Sequence, residues 1–319
     1  MTSTEFLTRC LPGDVDVLTD AGWRRGLDLR DGDRVAVWDP HDTTITLEPA
    51  TGVETGQYDG NLIAITGAIA STTGNPDHGV WVRTPVSGDD STWTRWHVRR
   101  HEELSALGGL RVAVSGFHSG PGLRNDAGDY AGVLGWISVE EGYHGTSIRI
   151  HHTESNHHRA TATSTRLAAL GASPKRTQGR HGAGVDAWFL PGPLTASIRR
   201  ELAGGLPSWA ATWNMSSVEL QAFLDGAAGG RRGTVHGLDR ETVDLLQAVA
   251  AITGHRTSGH DVGRRAGGSV DLGVGVEAPV SRDRVKRRID TWNGPAFALT
   301  TSTGAVVARR GWRVFIAAT

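Results

Sequence analysis

The chain has 319 residues, of which 38% are hydrophobic and 21% are charged, and its formal net charge is −1. These values are typical of a soluble globular protein with one large core or two ordinary ones, and they exclude a global electrostatic attraction to nucleic acid or membrane. No apolar run approaches the roughly 20 residues of a membrane span, and no signal peptide precedes the first predicted element. We therefore expect no membrane partner.

Cys10 is the only cysteine, and the first predicted element begins with it. An internal disulfide is therefore excluded, and a reducing, cytoplasmic location is expected. The stretch from Cys10 to Thr19 alternates apolar and polar residues, and turn signals follow at 20–22 and 31–33, which predicts strands joined by a hairpin. An isolated cysteine is most often a small buried hydrophobe, and only its neighbours can indicate a chemical role.

Short apolar runs separated by Gly, Asp, Asn and Pro continue to about residue 120 and predict an all-β module. Within it, the sequence Asn75-Pro76-Asp77-His78 stands directly before an apolar run. A histidine in this position is usually a turn residue that bonds to the backbone. Because an imidazole can also exchange a proton near neutral pH, His78 is a candidate for acid–base chemistry.

The pattern changes after a turn-rich stretch at 118–130. Residues 132–142 have the apolar density of a packed helix and end in Glu140-Glu141-Gly142, which is a helix stop. The later predicted elements are a strand at 145–152, a helix at 166–171, a helix that starts at Ser216-Ser217 and contains Phe223-Leu224-Asp225-Gly226, an amphipathic helix at 238–254, and strands after about 279, at 295–301, 304–311 and 314–319.

Several features follow one another along the chain, namely the cysteine start with its Gly13-Asp14 pair, the later Gly32-Asp33, the histidine at 78 and the closing apolar strands. Their order resembles inteins, which excise themselves and splice their flanks. This resemblance implies a mainly β, horseshoe-like Hint splicing domain that is discontinuous, with an inserted α+β domain like the LAGLIDADG homing endonucleases. The implied segments are an upstream flank at 1–9, the N-terminal Hint part at 10–120, the insertion at 121–278, the C-terminal Hint part at 279–318 and a downstream residue at 319.

The resemblance also implies chemical roles for the residues that match. Cys10 would attack the carbonyl group of Arg9 and convert the amide into a thioester, and His78 would give a proton to the leaving nitrogen. Asn75 stands where the family usually has Thr and would hydrogen-bond the scissile unit. These acyl transfers act in cis on the flanking polypeptide and need no cofactor.

The end of the chain departs from the intein pattern at two positions. Ala298 follows Phe297 where inteins have Asp or Cys, and Ala318 stands at the terminal Asn, with Thr319 as the downstream nucleophile. Two alternatives stay open: Thr319 itself occupies the Asn position, or the chain was cut short. Because alanine has no amide to cyclise, the sequence predicts a precursor trapped before cleavage at the downstream junction.

The predicted insertion resembles LAGLIDADG endonucleases in its acid-Gly helix and in its Phe223-Leu224-Asp225-Gly226 helix. In that family two such helices pack side by side, and a carboxylate at the end of each binds the divalent metal that activates water. Glu140 or Glu141 would be the first carboxylate, but Arg231-Arg232 stands at the second, and Asp225 lies about one turn too early. We therefore expect the fold without DNA cleavage; an active enzyme would require a divalent metal such as Mg²⁺.

A second candidate function, from a different class, is a DNA-binding homing endonuclease of the LAGLIDADG type with the β segments as its scaffold. Intact acidic residues would favour it, and basic clusters at 231–232, 264–265 and 282–288 could face a DNA backbone. A third candidate, hedgehog-type autoprocessing, shares the cysteine start but gives no reason for the insertion. The run from Ala308 to Gly311 before the last strand also resembles inteins of phage terminase large subunits.

Overall fold

A computed structural model of the chain consists of two compact units. The first comprises Met1–His118, Ala250–His260 and Asp271–Thr319, and the second comprises Ser119–Val249 and Asp261–Val270. Both predicted Hint segments lie in the first unit, which the chain re-enters before the predicted boundary at 279. The residues that the structure describes are 6, 8–66, 71–86, 89–105, 109–124, 126, 128–140, 142–152, 156–178, 184–202, 205–229, 233–261, 267–280 and 286–319.

The described secondary structure is mostly β. The strands are β1 (Leu11–Pro12), β2 (Asp16–Thr19), β3 (Gly22–Arg25), β4 (Arg34–Trp38), β5 (Ile45–Pro49), β6 (Thr51–Thr66), β7 (Ser71–Gly74), β8 (Gly79–Arg83), β9 (Pro85–Val86), β10 (Asp89–Trp93), β11 (His97–Arg100), β12 (Leu110–Ala113), β13 (Ser147–His151), β14 (Ser173–Gln178), β15 (Gly184–Phe189), β16 (Gly233–Leu238), β17 (His255–Asp261), β18 (Gly268–Val274), β19 (Glu277–Val280), β20 (Lys286–Thr300), β21 (Ala305–Arg310) and β22 (Arg313–Ala318).

The described helices lie mainly in the second unit. They are α1 (Asp129–Val139), α2 (His157–Ala169), α3 (Gly192–Glu201), α4 (Trp209–Asn214), α5 (Ser217–Ala228) and α6 (Arg240–Ile252). Among the residues that the structure describes, no helix is both long and apolar enough to cross a membrane.

A four-stranded sheet in the order β1-β20-β6-β7 brings the start of the first unit against its closing strands. β1 pairs with β20 so that Leu11 is opposite Phe297 and Pro12 is opposite Ala296. Because the pairing is antiparallel, one further step along each strand brings Cys10 level with Ala298. Leu11 and Phe297 are fully buried in the main core of this unit, which holds the register.

A second sheet contains the end of the chain, with β22, β21, β2, β4 and β5 as successive neighbours. β8 joins β22 through the pair Ala317 and Val80, so the end of β22 lies beside the start of β8, immediately after His78. β21 is buried along almost its whole length. Its Arg309 is 3% exposed and donates to the carboxylate of Asp16 at 3.0 Å, which ties β21 to β2.

In the second unit, α1 and α5 pack through glycines. A Cβ atom at Gly135 would lie 2.0 Å from the carbonyl oxygen of Phe223, and one at Gly226 would lie 1.9 Å from that of Gly132. These two contacts are related by one sequence offset, since 226 minus 135 and 223 minus 132 are both 91. The helices are therefore equivalent partners in a pseudo-symmetric pair whose backbones approach too closely for any larger residue.

The predicted start of α5 is a capping box. The Ser216 side chain accepts from the backbone of Glu219, and the Glu219 carboxylate accepts from the backbone of Ser216 at 2.8 Å. The same carboxylate accepts from the backbones of Leu123 and Arg124 at 2.9 Å, within the stretch predicted as a turn-rich linker. Glu219 is therefore buried without an unsatisfied charge, and it orders the chain before α1.

The predicted elements of the second unit differ from the observed ones mainly at their ends. The helix predicted at 132–142 is α1, which ends at Val139 with Glu140 as its C-cap. The helix predicted at 166–171 is the longer α2, because Ala160, Thr163 and Leu167 bury its inner face with residues that are mostly too small or polar to give an apolar pattern. The strand predicted at 145–152 is β13, and the helix predicted at 238–254 is α6.

Candidate functional site

The single cysteine is buried where the upstream segment meets the first sheet. Cys10 is 2% exposed, and it shares a cluster with Phe6, Ala296 and Ala298. Burial raises the pKa of its thiol above the ordinary 9.0, and a hydrogen bond from the Asn75 side chain partly offsets this. Cys10 is therefore a protonated, enclosed thiol at neutral pH, which fits a reaction within the chain better than attack on an external substrate.

Asn75 links the cysteine to the histidine turn. Its side-chain nitrogen donates to the carbonyl oxygen of Cys10 at 3.4 Å and lies 3.6 Å from Cys10 Sγ. Its Oδ1 atom accepts from the backbone nitrogens of Asp77 and His78, both at 2.9 Å. These contacts join the Cys10 sulfur and carbonyl group to the turn that begins at Asn75.

His78 is buried beside the backbone of Arg9. It is 1% exposed, and within the described part of the chain neither ring nitrogen has a hydrogen-bond partner. Burial and the neighbouring His101 lower the pKa of His78 to about 3. A contact with the Arg9 backbone partly opposes this lowering, although it falls short of a full hydrogen bond. The contact favours the protonated ring, as a backbone acceptor such as a carbonyl oxygen does.

His101, which was not predicted from the sequence, holds the backbone of His78 in place. Its backbone nitrogen and its Nδ1 atom both lie 3.0 Å from the His78 carbonyl oxygen, and its Nε2 atom lies 3.0 Å from Thr72 Oγ1. Because a carbonyl oxygen can only accept, Nδ1 carries the proton and Nε2 accepts from the threonine hydroxyl. Burial lowers the pKa of His101 to about 4, so the ring is neutral in this network.

One cavity of about 550 Å³ brings the two ends of the first unit together. Its lining includes Thr8 and Arg9 on the upstream side, His78 at its wall, and Ala318 and Thr319 on the downstream side. The backbone nitrogen of Thr319 donates to the Gly304 carbonyl group at 2.9 Å, and its hydroxyl lies 3.1 Å from Thr301 Oγ1. Both junction candidates therefore border the same cavity.

Ala298 adjoins this site from the sheet side. It is 1% exposed and belongs to the same small cluster as Cys10. The register of β1 and β20 explains this position, since the residue before Leu11 is level with the residue after Phe297. A longer side chain at 298 would therefore reach the environment of the cysteine.

In the second unit, an arginine occupies the ends of the packed helices. Arg159 forms an ion pair with Glu140, donates to the carbonyl oxygen of Ala227 near the end of α5, and stacks over Trp136 at 4.8 Å. Glu140 and Arg159 line a pocket of about 410 Å³ with His157, His158 and His236. The pocket therefore carries an internal positive charge at the point where the resemblance implied a metal ion.

The other predicted nuclease ligands are not brought to this pocket. Asp225 accepts from Gln221 at 2.9 Å and lies 3.9 Å from the guanidinium of Arg166. Glu141 and the pair Arg231-Arg232 lie outside the described residues. Among the residues that are described, no group of three or more His, Cys, Asp or Glu side chains could hold a metal ion. The donor set therefore does not fit a divalent metal.

No family model matches the sequence, and no curated protein is significantly similar to it. Among solved structures, the chain is similar to a splice-inactive variant of the AceL NrdHF class 3 split intein, with a TM-score of 0.37 and 7% identity over 98% of each chain. It is also similar to I-DmoI in complex with DNA and Ca, with a TM-score of 0.35 and 15% identity over 47% of this chain and 84% of that one.

A structure described as mesophilic variants from the homing endonuclease I-DmoI matches with a TM-score of 0.35 and 16% identity, over 47% of this chain and 84% of that one. The likenesses are thus to an intein along nearly the whole chain and to a homing endonuclease along about half of it.

Proposed function

We propose that the chain is an intein: a discontinuous Hint domain, with active-site residues at 10, 75 and 78 and at its C-terminal end, that contains an inserted LAGLIDADG-like domain. The observation that carries the proposal is the convergence of Arg9, His78, Ala318 and Thr319 on one cavity, with the buried Cys10 directly after Arg9 in the chain. Splicing requires both junctions at one site, because each acyl transfer joins groups that are distant in sequence.

In the first step, Cys10 Sγ bonds to the carbonyl carbon of Arg9, the Arg9–Cys10 amide bond breaks, and the thiol proton ends on the released amino group of Cys10. His78 supports this step through its contact with the Arg9 carbonyl group. A neutral imidazole carries one N–H group, which can donate to the oxygen as negative charge develops there. Asn75 donates toward the sulfur and stabilises its ionised form.

In the second step, the Thr319 hydroxyl attacks the thioester carbon, the sulfur leaves, and the hydroxyl proton passes to it. With Asn at position 318, the side-chain nitrogen would attack its own backbone carbonyl group and break the bond to residue 319. Ala318 cannot do this, and Ala298 cannot supply the acid or nucleophile of that position. The chain is therefore a trapped precursor that retains both flanks. If Thr319 instead occupies the terminal Asn position, the side chain there also has no amide to cyclise.

No cofactor takes part in these steps, because every bond that forms or breaks joins a side chain to a backbone acyl group. The chain acts in cis on its own flanks, and a reducing cytoplasm would keep Cys10 as a thiol. The run at 308–311 favours a phage terminase large subunit as the host protein.

The second unit is, on this proposal, a LAGLIDADG-like domain that no longer cuts DNA. Its glycine-packed α1 and α5 support the domain type, and the ion pair between Arg159 and Glu140 supports the loss of activity. A guanidinium at the helix ends repels the cation that the reaction needs and engages the one carboxylate described there.

The proposal is tested by incubating the protein with dithiothreitol and measuring its intact mass. A competent thioester site releases residues 1–9, because the external thiol captures the acyl group. Cys10→Ala should abolish release and His78→Ala should slow it strongly, whereas His41→Ala, at an exposed histidine, should not change it. A folded protein that never loses residues 1–9, or a Cys10→Ala variant that loses them at the same rate, would contradict the proposal.

A further inference from the structure

The upstream flank, residues 1–9, is called the leader below. Phe6 is only 9% exposed, although it precedes the element proposed to excise itself. It belongs to the same cluster as Cys10, Ala296 and Ala298, with Tyr58 packed against it. A residue that leaves with the flank is thus buried in the part that stays.

The wall against Phe6 is built from small residues on one face of two paired strands. Gly56 of β6 is opposite Ala296 of β20, and Tyr58 is opposite Gly294. Since alternate residues share a face, Gly56 and Tyr58 lie with Gly294, Ala296 and Ala298 on the same side. The small residues at 56, 294, 296 and 298 leave a slot beside Cys10, and Tyr58 supplies its aromatic rim.

The phenyl ring of Phe6 fills this slot closely. A Cβ atom added at Gly56 would lie 2.9 Å from Phe6 Cε1 and 3.0 Å from Phe6 Cζ. Even one methyl group at position 56 would therefore have to displace the ring. Such a fit selects a flat side chain over a branched or polar one.

The backbone explains why the slot lies four residues upstream of the cysteine. The Cys10 nitrogen donates to the Phe6 carbonyl oxygen at 2.9 Å, and Thr8 and Arg9 are helical. Residues four apart on one helical turn share a face, so Phe6 and Cys10 approach the same wall. The Arg9 side chain adds a hydrogen bond to Thr300 Oγ1 at 3.4 Å.

We propose that this slot is a recognition site for the flanking peptide, which takes an aromatic side chain four residues before the scissile cysteine and thereby aligns the Arg9 carbonyl group with His78. The inference rests on the proposed function for its kinetic consequence only. Its ligand class is an upstream peptide that makes one helical turn and carries an aromatic residue at its start.

The test is a double-mutant cycle with Phe6→Ala and Gly56→Ala, read by the rate at which dithiothreitol releases the leader. Phe6→Ala should slow release by about tenfold, because burial of a phenyl ring is worth at least this factor in an equilibrium constant. Gly56→Ala should slow release of the native leader but have little further effect with Phe6→Ala, and Phe6→Leu should be intermediate. Phe189→Ala is the matched control, since Phe189 is 49% exposed in the other unit.

Unchanged release in Phe6→Ala, or an equal effect of Gly56→Ala in both backgrounds, would overturn the inference. Thermal unfolding of the same four proteins separates it from the proposed function. If the native protein releases no leader, the proposed function fails. The slot is then tested by the midpoint temperatures of unfolding, by asking whether the shifts caused by Phe6→Ala and Gly56→Ala add up in the double mutant. Non-additive shifts support the slot, and additive shifts contradict it.

Discussion

The Nδ1 atom of His101 lies 3.0 Å from the carbonyl oxygen of His78, which also accepts from the His101 backbone. This double contact fixes the backbone of His78, whose ring lies beside the Arg9 backbone. His101 has no described contact with the Arg9–Cys10 bond, so we interpret it as a positioning residue. Its two nitrogens have different partners, which allows their contributions to be separated.

Two substitutions of His101 should have opposite outcomes. Asn presents its side-chain nitrogen near the place of Nδ1, and Gln presents its own near the place of Nε2. We expect His101→Asn to retain most of the thiol-dependent release and His101→Gln to lose most of it, because only the former keeps the bond to His78. The measurement is the release rate with circular dichroism as the control for folding. Equal rates in the two variants would contradict a positioning role through Nδ1.

The thiol of Cys10 should ionise late. Burial raises its pKa, so its alkylation by iodoacetamide should keep accelerating through pH 9.0, the ordinary value. Asn75→Ala removes the hydrogen bond that lowers the pKa and should shift this profile further toward alkaline pH. Because Cys10 is the only cysteine, intact mass reports the reaction directly. Asn214→Ala serves as a control in the second unit. A plateau below pH 9.0, or an unchanged profile in Asn75→Ala, would contradict the described environment.

Acid should destabilise the first unit through its buried histidines. The pKa values of His78 and His101 are lowered from 6.5 to about 3 and about 4, so the unfolded chain binds protons that the folded chain does not. Their contribution is complete above pH 6.5 and is lost as the pH falls toward these values, at about 1.4 kcal/mol per pH unit for each histidine. Urea unfolding measures it. His78→Gln should reduce the slope by about one proton, and an unchanged slope would contradict the neutral, buried state.

Arg159 should stabilise the second unit by supplying the positive charge beside Glu140, where related nucleases would bind a metal ion. Arg159→Met leaves Glu140 and the Ala227 carbonyl group without this partner. It should lower the free energy of unfolding by about 1–2 kcal/mol, a value kept small because Glu140 is partly exposed to solvent. Adding Glu140→Leu should recover part of the loss. Thermal unfolding monitored by tryptophan fluorescence is the measurement. Mn²⁺ titration followed by water relaxation should detect no site in the native protein, and a site abolished by Glu140→Gln would contradict this account.

The sequence predicted features that depend on local pattern. The hairpin after Cys10, the turn before His78 and the helix start at Ser216 were all apparent, because turn residues, apolar alternation and helix-start residues act over a few positions. The roles that the resemblance implied for Cys10, Asn75 and His78 remain proposals, since only their positions are described.

The features that sequence reasoning missed depend on contacts across the fold. His101 lies in an ordinary polar run. The pairing of β11 with β8 brings it to His78, and Thr72 reaches it from β7, which pairs with β6. Phe6 belongs to a leader without a periodic pattern. Arg159 is in the polar first turn of α2, and nothing in the local sequence indicates that its side chain pairs with Glu140. An expected carboxylate motif could not predict which cation would pair with it.

The most direct test of the account is the intact mass of an Ala318→Asn variant, prepared with and without Ala298→Asp. If the two junctions share one site as proposed, the restored asparagine should allow the chain to lose residues 1–9 and Thr319 and to release a joined peptide of the two flanks. Cys10→Ala in the same background should prevent the joining. A well-folded restored chain whose mass never changes would contradict the proposal that this protein is a splicing element.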